Sequence, residues 1–205
     1  LAAVFADLGA DGIVNGGQTM NPSTESILTE VERIAAETVF VLPNNKNIIM
    51  AAQQVDALTP KNVVVIGSKT VPQGVTAMLN FDPEGSVEEN TQAMTDVLGS
   101  VETMQITYAA RNSDFDGYDI HEGDYLAMDG KGLFGTSKDI TVLLKGLAEK
   151  ARDDGREFIT IYYGADTKEK HAQKAADLFA DICPNADVNL INGGQPVYYY
   201  MISAE

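Results

Sequence analysis

Hydroxyl and amide side chains gather in three short loops of the N-terminal half of the chain. Each loop follows an apolar segment and precedes a helical pattern. Backbone N–H groups and the dipole at a helix N-terminus favour an anion such as a carboxylate or a phosphate. The pattern predicts an anion site, and the alternative is that these side chains only cap the helices behind them. The candidate residues are Thr19, Asn21, Ser23, Asn44, Asn45, Ser68 and Thr70.

A four-residue string occurs twice, each time after a short apolar run. It is Asn15-Gly16-Gly17-Gln18 in the first half and Asn192-Gly193-Gly194-Gln195 in the second. Gly-Gly turns after strands are common, so chance is one explanation. The functional interpretation is that both turns line a cleft between two lobes, because ligands of α/β folds gather at the carboxyl ends of strands. It adds Asn192 and Gly193 to the candidate ligand-binding residues.

Carboxylates crowd residues 111–129. They do not fit a calcium-binding EF-hand loop, since Gly117 comes one residue after the second Asp and the bidentate Glu is missing, so we expect no metal. We expect these side chains on an exposed loop and hairpin, because so many cannot be buried without partners. They are interpreted as a partner-binding patch, or alternatively as a solubility surface: Asp114, Asp116, Asp119, Glu122 and Asp124.

The chain lacks the patterns of an enzyme that acts alone. It has neither the P-loop string nor a Gly-x-Gly-x-x-Gly after a strand, so we expect no ATP, no other cofactor and no catalytic residue. His121 and His171 lie in separate polar contexts and assemble neither a zinc site nor a Ser-His-Asp triad. Cys183 is the one cysteine, which excludes an internal disulfide, and it is interpreted as a buried small hydrophobe.

Charge and hydropathy narrow the classes of partner. The 205 residues carry 14 basic and 30 acidic side chains, a formal net charge of −16. This charge argues against nucleic acid and anionic membranes as partners and favours a basic protein partner.

The sequence has no apolar run near the ~18 residues that span a membrane, and it has no signal peptide. We therefore expect a cytoplasmic protein without membrane insertion. Because Leu1 opens within an apolar segment, we interpret the chain as a piece of a longer protein.

Apolar strands alternate with amphipathic helices, which predicts an α/β fold of two lobes. The first, residues 1–83, is expected to be a doubly wound parallel-sheet lobe, with strands at 12–15, 39–42 and 63–66. Asn21 is expected to cap a helix over 22–37, and Thr19 and Asn21 to face the cleft. The second, residues 84–205, is expected to be a mixed-sheet α/β lobe. Its last strand is expected at 197–202 and its hairpin turn at Asp129-Gly130.

A resemblance to a bacterial family rests on five strings. They are GADGIVNGGQTMNPSTESIL, VFVLPNNKNIIMAA, VVVIGSKTVPQGVTAML, AARNSDFDGYDIHEGDYLAMDGKGL and NLINGGQPVYYYMISAE. The chain resembles the C-terminal domain of the A-type polypeptide of fatty acid kinase, which was formerly grouped with dihydroxyacetone kinases. The resemblance covers essentially the whole chain and implies a DegV-like fold, two α/β lobes with a cleft between them.

The resemblance also implies a function. The family protein joins a nucleotide-binding kinase domain, a middle domain and this domain, with ATP and Mg²⁺ in the kinase domain. The kinase phosphorylates a fatty acid held by a separate, DegV-type carrier, which we expect to be basic and to dock on this domain. Carriers hold the lipid carboxylate with a Thr-Ser loop and a His-x-Gly-Pro-Gly turn. Here these places hold Thr19–Ser23 and, without the His, Asn192–Pro196. The alternative is a domain that binds a fatty acid or another small anion in its cleft.

Overall fold

The computed structural model describes residues 1–16, 21–115 and 117–205. The chain divides into two compact units, one of Ala2–Val101 and one of Glu102–Glu205 with Leu1. The division follows Val101 and not residue 83, where the boundary was expected. The helix over Val87–Asp96 belongs to the first unit because its Met94 packs in one cluster with Ile66 and Ala77.

The first unit is an α/β unit built around a pair of parallel strands. β1 and β2 pair in register from Thr38 with Asn62 to Val41 with Val65. Short 3₁₀ turns follow α3 and α5, at Val55–Leu58 and Val97–Ser100. The elements in chain order are α1 (Ala2–Asp7), α2 (Thr24–Arg33), β1 (Thr38–Val41), α3 (Ile49–Gln54), β2 (Asn62–Val65), α4 (Val71–Leu79) and α5 (Val87–Asp96).

Apolar residues at helical spacing give the first unit its core. Ile27 and Val31, one turn apart on α2, are buried with residues of both strands and of α3. The cluster consists of Ile27, Val31, Val39, Ala52, Val55 and Val63. The two parallel strands that the apolar runs at 39–42 and 63–66 predicted are therefore confirmed to within one residue.

The start of the first unit differs from the sequence-based expectation. Residues 12–15 do not form a strand, although Val14 packs against the core beside α2. Helix α2 begins at Thr24 and not at Pro22, because the Ser23 hydroxyl accepts the hydrogen bond of the Ser26 N–H. It ends at Arg33 and not at residue 37. The Lys61 ammonium donates to carbonyls of the last turn, that of Val31 at 3.0 Å and that of Glu32 at 3.4 Å.

The second unit is a six-stranded mixed sheet with two helices. The strand order is β7-β6-β3-β10-β8-β9; β8 and β9 are parallel and the other neighbours antiparallel. The separate hairpin β4–β5 completes it. The bounds are β3 (Glu102–Tyr108), β4 (Ser113–Phe115), β5 (Tyr118–Ile120), β6 (Tyr125–Asp129), β7 (Gly132–Ser137), α6 (Ile140–Asp153), β8 (Phe158–Tyr163), α7 (Glu169–Ile182), β9 (Asp187–Asn192) and β10 (Tyr200–Ala204).

Helices α6 and α7 and the central strands share one hydrophobic core. Leu147, Ile161, Phe179 and Ile202 are fully buried within it. Cys183 lies in the same core and its thiol donates to the Ala148 carbonyl at 3.2 Å, so the prediction of a buried small hydrophobe is confirmed. Burial is the main reason that the pKa of this thiol is raised, which disfavours the reactive thiolate.

The β6–β7 hairpin is present, with its turn shifted by one residue. Asp129 pairs with Gly132, so Gly130 and Lys131 are the turn residues and not Asp129 and Gly130. The Asp129 carboxylate accepts from the backbone N–H of Lys131 at 2.8 Å and of Gly132 at 3.2 Å, which is how a short acidic side chain stabilises a turn from its first position.

Candidate functional site

Loops of the first unit meet at the carboxyl ends of its parallel strands. Asn44 and Asn45 follow β1, and Ser68 follows β2. The Asn45 amide donates to the Asn21 side-chain oxygen at 3.1 Å, which brings the loop before α2 to the same place. The structure thus assembles the expected loops into one cluster, called the loop cluster here and consisting of Asn21, Ser23, Asn44, Asn45, Ser68 and Thr70.

The centre of the loop cluster is a reciprocal pair. The Ser68 hydroxyl donates to the Asn44 side-chain oxygen at 2.8 Å and accepts from the Asn44 backbone N–H at 3.0 Å. Ser68 is 0% exposed. Asn44 has φ of +56°, the left-handed region that Asn tolerates better than most residues. Its side chain lies against Gly74, where an added Cβ would be 2.0 Å from the Asn44 oxygen.

The other hydroxyls of the loop cluster cap helices. The Ser23 oxygen accepts from the Ser26 N–H at 3.1 Å, and the Thr70 oxygen accepts from the Gln73 N–H at 3.3 Å. The Asn45 side-chain oxygen accepts from the Asn47 N–H at 2.9 Å. The expectation that Asn21 caps α2 is therefore wrong, and Ser23 holds that place. Thr19 lies outside the described residues, so its role stays a prediction.

The second Asn-Gly-Gly-Gln turn belongs to the second unit. It follows β9, and the backbone N–H groups of Gly193 and Gly194 both donate to the Tyr163 carbonyl, at 3.0 and 3.1 Å. Gln195 is 3% exposed and its amide donates to the Tyr162 carbonyl at 3.0 Å. The turn is thereby fixed to the carboxyl end of β8, and the Gln195 side chain serves to hold it there.

The acidic patch is exposed only in part. Asp114, Asp119 and Glu122 are exposed, and Asp114 lies directly opposite Asp119 in the β4–β5 hairpin. Asp124 contradicts the expectation, since it is 6% exposed and its carboxylate accepts from the His121 N–H at 2.9 Å. The Asp124 carboxylate therefore stabilises the turn that begins at His121. Asp116 lies outside the described residues.

The His121 ring lies between two of these carboxylates. Nε2 is 3.7 Å from Asp119 and Nδ1 is 3.6 Å from Asp124.

Within residues 1–16, 21–115 and 117–205, no three His, Cys, Asp or Glu side chains come together as a metal site. Among the helices of these ranges, none combines the length and apolar character that crossing a bilayer requires.

Sequence reasoning missed a strained turn beside an aromatic cluster. The Tyr198 N–H donates to the Pro196 carbonyl at 2.8 Å, and Val197 between them has φ of +72°. The ring of Tyr199 makes edge contacts with Tyr108 and Tyr125, at centroid distances of 6.2 and 5.3 Å. The tyrosine run at 198–200 was a signal for the cluster, but no signal indicated a positive φ at a β-branched residue. The turn also explains why β10 begins at Tyr200 and not at Val197.

Comparisons with known proteins give the family. The FakA-like family model, which describes the C-terminal part of A-type polypeptides of fatty acid kinase, matches residues 1–205. Protein YloV of Bacillus subtilis is 38% identical over 205 residues, which are 100% of this chain and 37% of that protein. An uncharacterized protein of Staphylococcus haemolyticus is 34% identical over the same shares of the two chains. The chain thus spans little more than a third of these relatives' length.

Solved structures share the fold at low sequence identity. The Streptococcus pneumoniae Fatty Acid Kinase B3 protein loaded with linoleic acid matches with a TM-score of 0.65 and 14% identity, over 90% of this chain and 76% of that one. The dihydroxyacetone kinase of C. freundii matches with a TM-score of 0.60 and 11% identity, over 89% of this chain and 41% of that one. The DegV-like α/β fold that the resemblance implied is confirmed, and the chain belongs to the FakA-like family of C-terminal domains of fatty acid kinases.

Proposed function

We propose that this domain docks a fatty-acid-loaded, DegV-type carrier protein, so that the kinase domain of the same polypeptide can convert the bound acid into an acyl phosphate. The relatives are longer than this chain, which leaves room in them for the kinase and middle domains. ATP and Mg²⁺ belong to that kinase domain in this proposal, and this domain contributes recognition and no chemistry.

The observation that carries the proposal is the state of the loop cluster. A carboxylate site needs donors that are free to turn toward the ligand. Here the Ser68 hydroxyl is buried and donates its one proton to the Asn44 side-chain oxygen, so it offers none to a ligand. The Ser23 and Thr70 oxygens accept from helix N–H groups as the N-caps of α2 and α4. The buried centre of the cluster therefore supports the fold, which favours a docking role over a ligand-binding one.

The charge distribution supports the same function. The net charge of −16 and the exposed carboxylates of Asp114, Asp119 and Glu122 give the domain a field that attracts a basic partner. Such a field mainly raises the association rate and orients the encounter. It would orient a basic carrier without any buried charge pair.

A deletion tests the proposal. The full-length protein and a version that lacks residues 1–205 of this chain are each measured for binding to the DegV-type carrier of the same organism, loaded with linoleic acid. We expect the deletion to abolish carrier binding while MgATP binding persists, which serves as the control for a folded kinase domain. Carrier binding that survives the deletion would overturn the docking function.

The second candidate is a domain that binds a fatty acid or another small anion. It is favoured by the position of the loop cluster at the carboxyl ends of parallel strands and by the structural neighbour loaded with linoleic acid. Native mass spectrometry of the full-length protein and of the deletion version separates the two functions. Lipid mass that co-purifies only when this chain is present would support the second candidate.

A further inference from the structure

A groove of about 400 Å³ lies in the first unit between the segment that follows α1 and one face of α2. This volume is within the range of small-ligand sites, about 300–1,000 Å³, and the groove is open to solvent. Its lining combines two aliphatic side chains with two carboxylates and three neutral polar side chains. These residues define what we call the α2 groove: Ile13, Val14, Asn15, Glu25, Ser26, Thr29 and Glu30.

Both walls of the α2 groove are fixed before any partner arrives. On one wall, α2 packs its buried side chains against both strands of the unit. On the other, Val14 packs against the same core, and the Ile13 N–H donates to the Glu30 carboxylate. Gly12 permits this close approach, because a Cβ there would lie 2.6 Å from a Glu30 oxygen. A preformed groove loses little conformational entropy when a partner binds.

The two carboxylates of the groove differ in their partners. Glu30 is neutralised by Arg33, whose Nε donates to it at 3.2 Å. This hydrogen bond is also the main reason that the pKa of Glu30 is lowered. Glu25 is exposed, and among the residues that the structure describes its carboxylate has no hydrogen-bond or ion-pair partner. The α2 groove therefore presents an uncompensated negative charge to solvent.

The chemistry of the lining favours a cationic side chain as the occupant. Residues 1–32 contain no Lys, Arg or His, and Arg33, the first basic residue of the sequence, is already bonded to Glu30. A lipid chain would remove the polar majority of the lining from water without satisfying it. A Lys or Arg side chain suits both parts of the groove, because its aliphatic stem packs on apolar surface while its charged end stays beside a carboxylate.

We infer that the α2 groove is the contact at which this domain receives a Lys or Arg side chain of the docked carrier. Glu25 accepts the charged group there, and Ile13 packs against its stem. The inference rests on the proposed docking function and names the part of the surface that performs it. A charge pair within a contact acts mainly on the rate of dissociation, whereas a charge at the rim acts mainly on the rate of association.

Charge variants of the full-length protein test the contact, with the kinetics of binding to the linoleate-loaded carrier as the readout. Glu25→Gln keeps the size of the side chain and removes its charge, so we expect about fivefold weaker affinity through faster dissociation. Glu32→Gln is the matched control, because Glu32 is exposed on the same helix and does not line the groove. It should dissociate like the parent. Equal losses of affinity in both variants would show that only net charge matters and would overturn the inference.

Truncation of the apolar wall gives an independent test. Ile13→Ala shortens a side chain that is 41% exposed, and it should weaken binding about threefold because the stem of the basic side chain loses apolar contact. Leu58→Ala, at a position that is 57% exposed in the same unit and outside the groove, should bind like the parent.

Hydrogen exchange of residues 24–33 verifies that α2 stays folded in each variant. Where Glu25→Gln loosens the helix, Ile13→Ala alone decides. Parent-like affinity of Ile13→Ala, or of a folded Glu25→Gln, overturns this inference and leaves docking in place. A parent protein that fails to bind the carrier overturns both.

Discussion

Asn44 and Ser68 exchange two hydrogen bonds between the loops that follow β1 and β2, and the hydroxyl that joins them is fully buried. A buried donor and acceptor that lose their partner cost more than the net value of one hydrogen bond. The hydrogen-bonded ladder of β1 and β2 spans only four residues, and this pair adds a link between the carboxyl ends of the two strands.

Ser68→Ala should therefore destabilise the protein. It leaves the Asn44 N–H and side-chain oxygen without the hydroxyl, so we expect the free energy of unfolding to fall by about 1–3 kcal/mol. Ser113→Ala, at an exposed position of β4, is the control and should change it by less than about 0.5 kcal/mol. Chemical denaturation measures both, and equal effects at the two positions would contradict a structural role of the pair.

Capping of α2 gives a second prediction. Ser23→Ala removes the acceptor for the Ser26 N–H and should lower the free energy of unfolding by about 1 kcal/mol. Asn21→Ala should cost less than Ser23→Ala, because Asn21 is exposed and Ser23 is the N-cap of α2. If Asn21→Ala lowers the free energy of unfolding more than Ser23→Ala does, in thermal or chemical unfolding, then Asn21 and not Ser23 is the cap.

The start of α5 should make stability depend on pH. The backbone N–H of Ser86, and then its hydroxyl, hold the pKa of the Glu89 carboxyl below its usual value of 4.5. A carboxyl whose pKa is lower in the folded state stabilises the fold above its unfolded pKa and loses that contribution as the pH falls through the folded pKa. Glu89→Gln should therefore lower the unfolding free energy at pH 6 and have a smaller effect below pH 4.

The neighbouring residue provides the control for that titration. Glu88→Gln makes the same chemical change in the first turn of α5, and the unfolding free energy of each variant is measured between about pH 3 and pH 6. A Glu89→Gln variant whose loss of stability does not depend on pH would contradict the capping-box explanation.

The facing carboxylates of the β4–β5 hairpin yield a prediction about association. Like charges directly opposite each other destabilise a strand pair, so Asp114→Asn with Asp119→Asn should leave folding intact or improve it by about 0.2–1 kcal/mol. If these carboxylates attract the carrier, association should slow and its salt dependence should decrease, since exposed charges are screened beyond about 8 Å at physiological ionic strength. Stopped-flow rates at low and high salt measure both effects.

A charge-matched pair controls for net charge alone. Asp181→Asn with Asp187→Asn removes the same two charges from exposed positions at the end of α7 and the start of β9. Equal rates and salt slopes for the two double variants would show that net charge, and not this hairpin, attracts the carrier. Asp124 is left unchanged in both, because its buried carboxylate holds the turn at His121.

Nucleotide binding gives a final prediction. A phosphate cradle needs a glycine-rich loop with a lysine, and no string of that kind is present in the sequence. Titration calorimetry of this domain with MgATP should give no heat of binding, while the full-length protein binds. Micromolar affinity of the isolated domain would contradict the assignment of ATP to another part of the polypeptide.

Where one local signal dominated, such as an apolar run or a capping residue, the sequence by itself determined a strand or the start of a helix. The apolar runs at 39–42, 63–66 and 158–163 became strands, and the string Ser86-Val87-Glu88-Glu89 became a capping box. The resemblance to the family came from the strings of the loops, among them Asn44, whose positive φ few side chains suit. The hydroxyls of Ser23 and Thr70 became caps, which was the alternative interpretation of the same residues.

Tertiary structure decided what depends on partners distant in the chain. Asp124 is buried because its carboxylate is satisfied within its own turn and its carbonyl by the Ala109 N–H, which a count of carboxylates cannot reveal. The unit boundary lies after Val101 because Met94 finds its apolar partners within the first unit, after β2 and on α4. Val197 adopts a positive φ in a turn where two residues remote in sequence meet it: the Thr107 hydroxyl donates to the Val197 carbonyl at 2.7 Å, and Gly164 leaves room for the Tyr198 carbonyl oxygen. Sequence specifies local preference, and long-range hydrogen bonds and packing override it where their summed free energy is larger.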